Sequence, residues 1–182
     1  MSFTRSKVEE ARFFLGHMEK ARTKLPDFDY FLNAFIGSAR SVLWVMRAEY
    51  QEITGWKQWY DGKQLSPKEK AFFASINEVR TRSVKLGTLA ADLVAIVDIP
   101  STGNPAAFLP TNVPGRVELI PLDGSERTKG ILKARPAVAF GTLKATHLKI
   151  DEFPDEDIAS VCRRYLQRLE SLVDECEKTY AL

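Results

Sequence analysis

Hydrophobic positions recur with a helical period through the first half of the chain. From Ser6 to about Arg22, Val8, Ala11, Phe14 or Leu15, and Met18 return every three or four residues, so they share one face of an amphipathic helix. After Pro26, the residues Phe28, Phe31, Leu32, Phe35, Ile36, Ala39, Val42, Leu43 and Met46 cover more than half of a helix circumference. That pattern belongs to a central helix touched on several sides. Ser66, Pro67 and Glu69 form a capping box with proline at the first helical position, which starts a third helix. Ala71, Phe72, Ile76 and Val79 give it an apolar face, and Gly87 is expected to stop it. Beyond Pro154, the acids Asp155, Glu156 and Asp157 complement a helix N-terminus. Ile158, Cys162, Tyr165, Leu169, Leu172 and Cys176 then alternate at spacings of four and three, the stripe of a helix that packs along its whole length.

The middle of the chain breaks this period. Leu93 to Val97 is a short β-prone run, and Pro100, Gly103, Pro105, Pro110, Pro114 and Gly115 exclude helix from most of the segment after it. Arg116 to Ile120 and Thr128 to Lys133 flank a turn at Asp123 and Gly124, and Ala137 to Ile150 alternates at Leu143, Ala145 and His147. The expected architecture is mainly α: a single domain over residues 1–182, a four-helix bundle with helices at about 6–24, 27–54, 66–86 and 155–180, and a small antiparallel β insertion at about 89–153 before the C-terminal helix.

Composition narrows the classes of function. No apolar run reaches the roughly 18 residues that cross a bilayer, and no apolar segment of a signal peptide follows the N-terminus, so neither secretion nor membrane spanning is expected. Cys162 and Cys176 fall about four turns apart on one helix, too far for a mutual disulfide, which fits a reducing, cytoplasmic setting. The net charge of +2 does not mark a nucleic-acid binder by itself. The charge is uneven, however: residues 1–90 carry 15 Lys and Arg against 10 Asp and Glu, whereas residues 91–182 carry 11 against 14.

Candidate chemistry is sparse. His17 and His147 have no Cys or His at metal-ligand spacing, so both read as structural and no metal is expected. Cys162 and Cys176 read as core thiols. Glycines 103, 115, 124 and 130 do not form a phosphate-cradling loop, and no cofactor motif is present. Arg40, Trp44 and Arg47 form a polar and aromatic stripe on the second helix, either an edge ion-paired to residues such as Glu78 or one wall of a binding groove. Arg80, Arg82 and Lys85 close the third helix; they either complement its C-terminus or join Arg40 in a basic concavity for phosphate. Trp56, Trp59 and Tyr60, in the link between the second and third helices, either cap the core or stack on bases, and packing inward is the stronger expectation.

Residues Phe31 to Tyr50 resemble the second helix of bacterial HEPN-like proteins, a family named for higher eukaryotes and prokaryotes nucleotide-binding domains. Ile76 to Gly87 fall where that family carries an arginine, a polar residue and a downstream histidine, and Tyr165 to Val173 resemble its closing helix; residues 89–150 lie outside the likeness. The resemblance implies a four- or five-helix bundle that forms homodimers and, in many members, a ribonuclease or toxin component using the arginine and histidine. Here the histidine is missing, because the next one after Arg80 and Arg82 is His147. Metal-independent cleavage needs a proton-transfer group at the phosphate, so no catalytic residue is assigned. The leading expectation is a non-enzymatic HEPN-like module that binds RNA or a toxin-antitoxin type partner through Arg40, Trp44, Arg47, Arg80, Arg82 and Lys85. Two alternatives stand beside it. One is a metal-independent ribonuclease with Arg82 on phosphate and His17 or Tyr60 moving the proton; the other is an assembly protein docking through an edge of the β insertion.

Overall fold

The computed structural model describes residues 2–22, 24–63, 66–86, 91–98, 117–121 and 142–180. The chain divides into two compact units, one of Met1–Leu89 with Ala159–Leu182 and one of Ala90–Ile158. The described residues are mainly helical: α1 (Phe3–Lys20), α2 (Leu25–Tyr50), α3 (Trp56–Gly62), α4 (Pro67–Leu86) and α5 (Ile158–Thr179), with strands β1 (Asp92–Asp98), β2 (Val117–Pro121) and β3 (Thr142–Lys149). None of the described helices is long and apolar enough to cross a membrane.

The first unit is a helical bundle whose helix ends follow from local chemistry. The Ser2 hydroxyl accepts from the Arg5 backbone N–H at 3.0 Å and so caps α1 three residues earlier than its apolar period suggests. Glu49, near the end of α2, takes the Phe3 and Thr4 N–H groups at 2.9 and 2.8 Å and the buried Thr4 hydroxyl at 2.6 Å. A carboxylate against the first turn of α1 satisfies free backbone donors and complements the positive end of the helix. α2 ends at Tyr50 with Gln51 as its C-cap, short of the expected residue 54, and Gly55 leads into the next helix with φ of 84°, a left-handed conformation that a side chain would strain.

The seven residues of α3 were not expected as a helix; three aromatics crowd them and too few turns exist to show a period. The capping box at α4 forms in both directions, with the Ser66 N–H donating to Glu69 at 2.9 Å and the Glu69 N–H donating to the Ser66 hydroxyl at 3.2 Å.

The core of this unit takes Val8, Ala11, Leu15 and Met18 from α1, with Phe14 only half-buried. It takes Phe28, Leu32, Phe35, Ile36, Ala39, Val42, Met46 and Tyr50 from α2, Ile76 and Val79 from α4, and Cys162, Tyr165, Leu169, Val173 and Cys176 from α5. Val173 replaces the expected Leu172 as a fully buried position. Trp56 caps one end of the core: its indole N–H donates to Cys176 Sγ at 3.4 Å, and its ring stacks on Tyr60 at 4.8 Å. Trp59 packs edge-on against Tyr180, so all three aromatics of the link have partners within the protein.

The second unit holds a three-stranded sheet in the order β2-β1-β3. It is mixed, which corrects the expected purely antiparallel insertion: β1 pairs with β2 in parallel and with β3 antiparallel. Parallel pairing requires a connection of a dozen or more residues, and β1 and β2 are separated in sequence by residues 99–116. The continuous apolar run Leu93 to Val97 suits a central strand paired on both edges. A register shift between Ile96 and Val97 leaves Lys144 as the extra residue of a bulge in β3. Asp157 accepts the Leu148 N–H at 3.0 Å, so this acid ties down the end of β3 and α5 begins at Ile158 rather than near residue 155. The turn at Asp123 and Gly124 and the strand expected at Thr128 to Lys133 lie outside the described residues.

Candidate functional site

Ionic pairing separates the arginines of the helical unit into two groups. Arg5 of α1 binds Asp174 and Glu177 of α5, Arg12 binds Glu9 and Glu170, Arg163 of α5 binds Glu19 at 2.6 Å, and Arg168 binds Glu69 at 3.0 Å. These carboxylates hold the Arg5 and Arg12 guanidiniums above their ordinary value, and Arg5 and Lys7 hold Glu177 and Glu10 below theirs, with burial opposing in each case. Arg40, Arg47 and Arg80 have no carboxylate partner among the described residues. The expected ion pair to Glu78 is not formed: Arg40 Nε donates instead to the neutral Asn77 Oδ1 of α4 at 3.3 Å.

The outer face of α2 presents these groups in order. Arg40 and Arg47 stand seven residues apart, two turns or about 10 Å along one side of the helix, with Trp44 between them. Trp44 is 65% exposed and Arg47 is exposed, while Arg40 is half-buried. Arg80 approaches α2 from α4 and lines a groove of about 480 Å³ with Lys7, Glu10, Asn33, Gly37 and Ser41. Gly37 leaves its floor open, with no atom within 4 Å of where a Cβ would stand. Tyr30, 63% exposed, lies two turns before Gly37, as Trp44 lies two turns after it.

Arg40, Trp44 and Arg47 thus share one side of α2 and Arg80 lines the groove beside Gly37 and Ser41, while two expected members lie elsewhere. Arg82 is half-buried and already engaged in an interaction within the protein. Lys85 is exposed five residues beyond Arg80, about 140° around the helix at 100° per residue, and so points away from that side. His17 is held between the rings of Phe13 at 4.3 Å and Phe31 at 5.1 Å in an aromatic ladder on α1 and α2. No group of three His, Cys, Asp or Glu residues among those described is placed to hold a metal ion. Cys162 and Cys176 are both buried, and burial pushes the Cys176 thiol up.

No family model, curated protein or solved structure matches this chain.

Two tyrosines complete the neighbourhood of Arg40. Tyr165 of α5 is fully buried against Phe72 and Phe73, and its hydroxyl makes no hydrogen bond among the described residues. Burial pushes it up to about 12, against the opposing pull of the Arg40 guanidinium beside it. Tyr60 of α3 is raised by burial in the same way, with Arg40 and then Arg47 opposing. Sequence reasoning missed Asn77 and Tyr30 as parts of this surface, and Tyr165 as a buried residue next to it. For Tyr30 the seven-residue spacing to Gly37 and Trp44 was an available signal; Tyr165 lies on the apolar stripe of α5, and nothing local distinguishes it from a core residue.

Proposed function

We propose that the helical unit is a HEPN-like, non-enzymatic module that binds single-stranded RNA along the outer face of α2, with Arg40, Arg47 and Arg80 taking phosphates and Trp44 stacking on a base. The observation that carries this reading is the contrast in pairing: three arginines gathered around one helix face have no carboxylate among the described residues, in a unit that pairs Arg5, Arg12, Arg163 and Arg168. Unpaired guanidiniums attract the phosphate backbone, and the release of its counterions makes the affinity salt-dependent. An exposed indole between two arginines provides a stacking platform that tolerates any base, as single-strand binders require. The missing histidine downstream of Arg80, and the confinement of His17 to its aromatic ladder, support binding without cleavage.

The test is a mobility-shift titration of a single-stranded RNA pool, with a denaturing gel of the same samples afterwards. The expected result is a retarded but intact RNA. Fragments that accumulate in the absence of metal would replace this reading with a ribonuclease. The family resemblance also implies a homodimer, and light scattering is expected to give twice the chain mass of 20.5 kDa.

A further inference from the structure

We propose that the groove over Gly37 is a base pocket selective for guanine, in which Glu10 accepts hydrogen bonds from the Watson–Crick edge of one unstacked guanine while Arg80 takes a phosphate beside it. The inference rests on the RNA-binding reading and assigns its sequence preference. At about 480 Å³ the groove has the size of a small-ligand site, which runs from roughly 300 to 1,000 Å³. Lys7, Glu10 and the half-buried Phe14 of α1 line it together with Gly37 and Ser38 of α2 and Arg80 of α4. Gly37 sits inside α2 with no atom within 4 Å of the place a Cβ would take, so a flat group can lie at the level of the helix backbone.

The polar groups of the groove divide by charge. Glu10 Oε2 accepts from Lys7 Nζ, and Glu10 Oε1 accepts from the Ser38 hydroxyl at 2.9 Å, two bonds that fix the carboxylate in place. A carboxylate offers about four lone-pair sites, so about two stay open to a ligand. Arg80 is exposed and has no carboxylate partner among the described residues. The arrangement calls for a flat ligand that donates hydrogen bonds at one edge and carries negative charge nearby; a cationic donor is repelled by Lys7 and Arg80. A guanine nucleotide meets both demands. Its Watson–Crick edge presents two adjacent donors, the ring N1–H and the exocyclic amine, to the paired oxygens of a carboxylate. Adenine, cytosine and uracil each set an acceptor beside their donor, and a carboxylate repels it. Splayed bases read on their edges are the usual route to sequence preference in single-stranded RNA. Tyr30 and Trp44, both exposed, stand two turns or about 10 Å before and after Gly37 on the same side of α2, placed to stack on the flanking bases.

Four short oligouridine strands that carry guanine, adenine, cytosine or uracil at one central position are titrated against the full chain by fluorescence anisotropy, and guanosine monophosphate is tested separately by thermal shift. The guanine strand is expected to bind on the order of tenfold more tightly than the other three, the discrimination of one good bidentate pair. Inosine at that position, which lacks the exocyclic amine, is expected to lose most of the preference. Glu10→Gln is expected to bring the guanine strand to the level of the uracil strand. Gly37→Leu is expected to do the same by filling the floor, and the open space at its Cβ lets the variant fold. Equal binding of the four strands by the wild type overturns the guanine pocket and leaves the RNA reading standing. A guanine preference kept by both variants overturns the groove as its seat. Binding of none, with guanosine monophosphate still raising the melting temperature of the wild type and not that of Gly37→Leu, overturns the RNA reading and retains the pocket. Binding of none and no shift overturns both.

Discussion

The seam between α1 and α5 and the outer face of α2 draw on the same residue types and use them in opposite ways. At the seam, Arg5, Arg12 and Arg163 each meet a carboxylate across the helix pair, and the Ser2 hydroxyl donates to Glu177 at 2.6 Å. On α2, Arg40 turns to a neutral amide, and neither Arg47 nor Arg80 of α4 meets a carboxylate among the described residues. Paired charge in a partly buried setting fixes how two helices sit together, whereas unpaired charge around an exposed tryptophan keeps its interaction energy for a ligand. The lesson is that an arginine count says little about binding, and the distribution of carboxylates says more. The surplus of cations in residues 1–90 is modest, yet the acids of α5 pair with Arg5 and Arg12 of α1, and Arg40 and Arg47 of α2 have no carboxylate partner among the described residues.

If that division is functional, the two regions respond to mutation in different assays. The largest effect is expected from the double charge reversal Arg40→Glu with Arg47→Glu. It should lower the affinity for single-stranded RNA by at least about 100-fold, from two lost charge-assisted contacts at roughly tenfold each. Arg40 is half-buried and bonded to Asn77, so stability is read on Arg47→Glu alone, whose melting temperature should hardly move, since exposed substitutions away from partners usually stay within about 0.5 kcal/mol. A large loss of stability in Arg47→Glu would break the comparison by making this arginine structural.

Next in size is Arg5→Ala at the seam, expected to cost about 1–3 kcal/mol of folding stability through the charged hydrogen bonds to Asp174 and Glu177. RNA affinity should stay at the wild-type value. Glu177 at the seam, together with Glu10 between Lys7 and Ser38, sets an acid limit. Glu177 and Glu10 titrate below the ordinary carboxylate value in the folded state, so their contribution is complete above the unfolded value of about 4.3 and is lost as pH falls through the folded one. Denaturation monitored by circular dichroism below that pH should show a steeper loss for the wild type than for Arg5→Ala, in which the Glu177 partner is already gone.

The smallest effect lies at the alkaline end. Tyr165 is pushed up to about 12, so one tyrosine should stay protonated beyond the ordinary value of about 10, and its contribution to stability should decline as pH rises between those values. Tyrosinate absorbance of wild type minus Tyr165→Phe isolates that late step. A difference spectrum that titrates near the ordinary value would mean the hydroxyl is solvated rather than buried beside Arg40.

Much of the helical unit was legible because its signals are local. The capping box at Ser66 and Glu69 forms as read, and the stripe of Ile158, Cys162, Tyr165, Leu169 and Cys176 is buried as its spacing requires. The errors arose where partners are distant in sequence. Glu49 reaches 45 residues back to Thr4, so the start of α1 could not be read from α1 alone. The parallel pairing of β1 with β2 depends on a crossover, which alternation within each strand does not encode. The site was half legible for the same reason. The spacing of Arg40, Trp44 and Arg47 placed them on one face, but their lack of carboxylates among the described residues, and the bond of Arg40 to Asn77, depend on where α4 and α5 fall.

The most direct test of the unpaired face is the salt dependence of binding, measured by fluorescence anisotropy of one labelled single-stranded RNA across a series of salt concentrations. Three arginines on phosphates predict a slope of about −2 in log affinity against log salt, from roughly 0.7 counterion released per phosphate contact on a single strand. Arg47→Ala should flatten that slope by roughly 0.7. Binding that ignores salt, or a slope that Arg47→Ala leaves unchanged, contradicts the account.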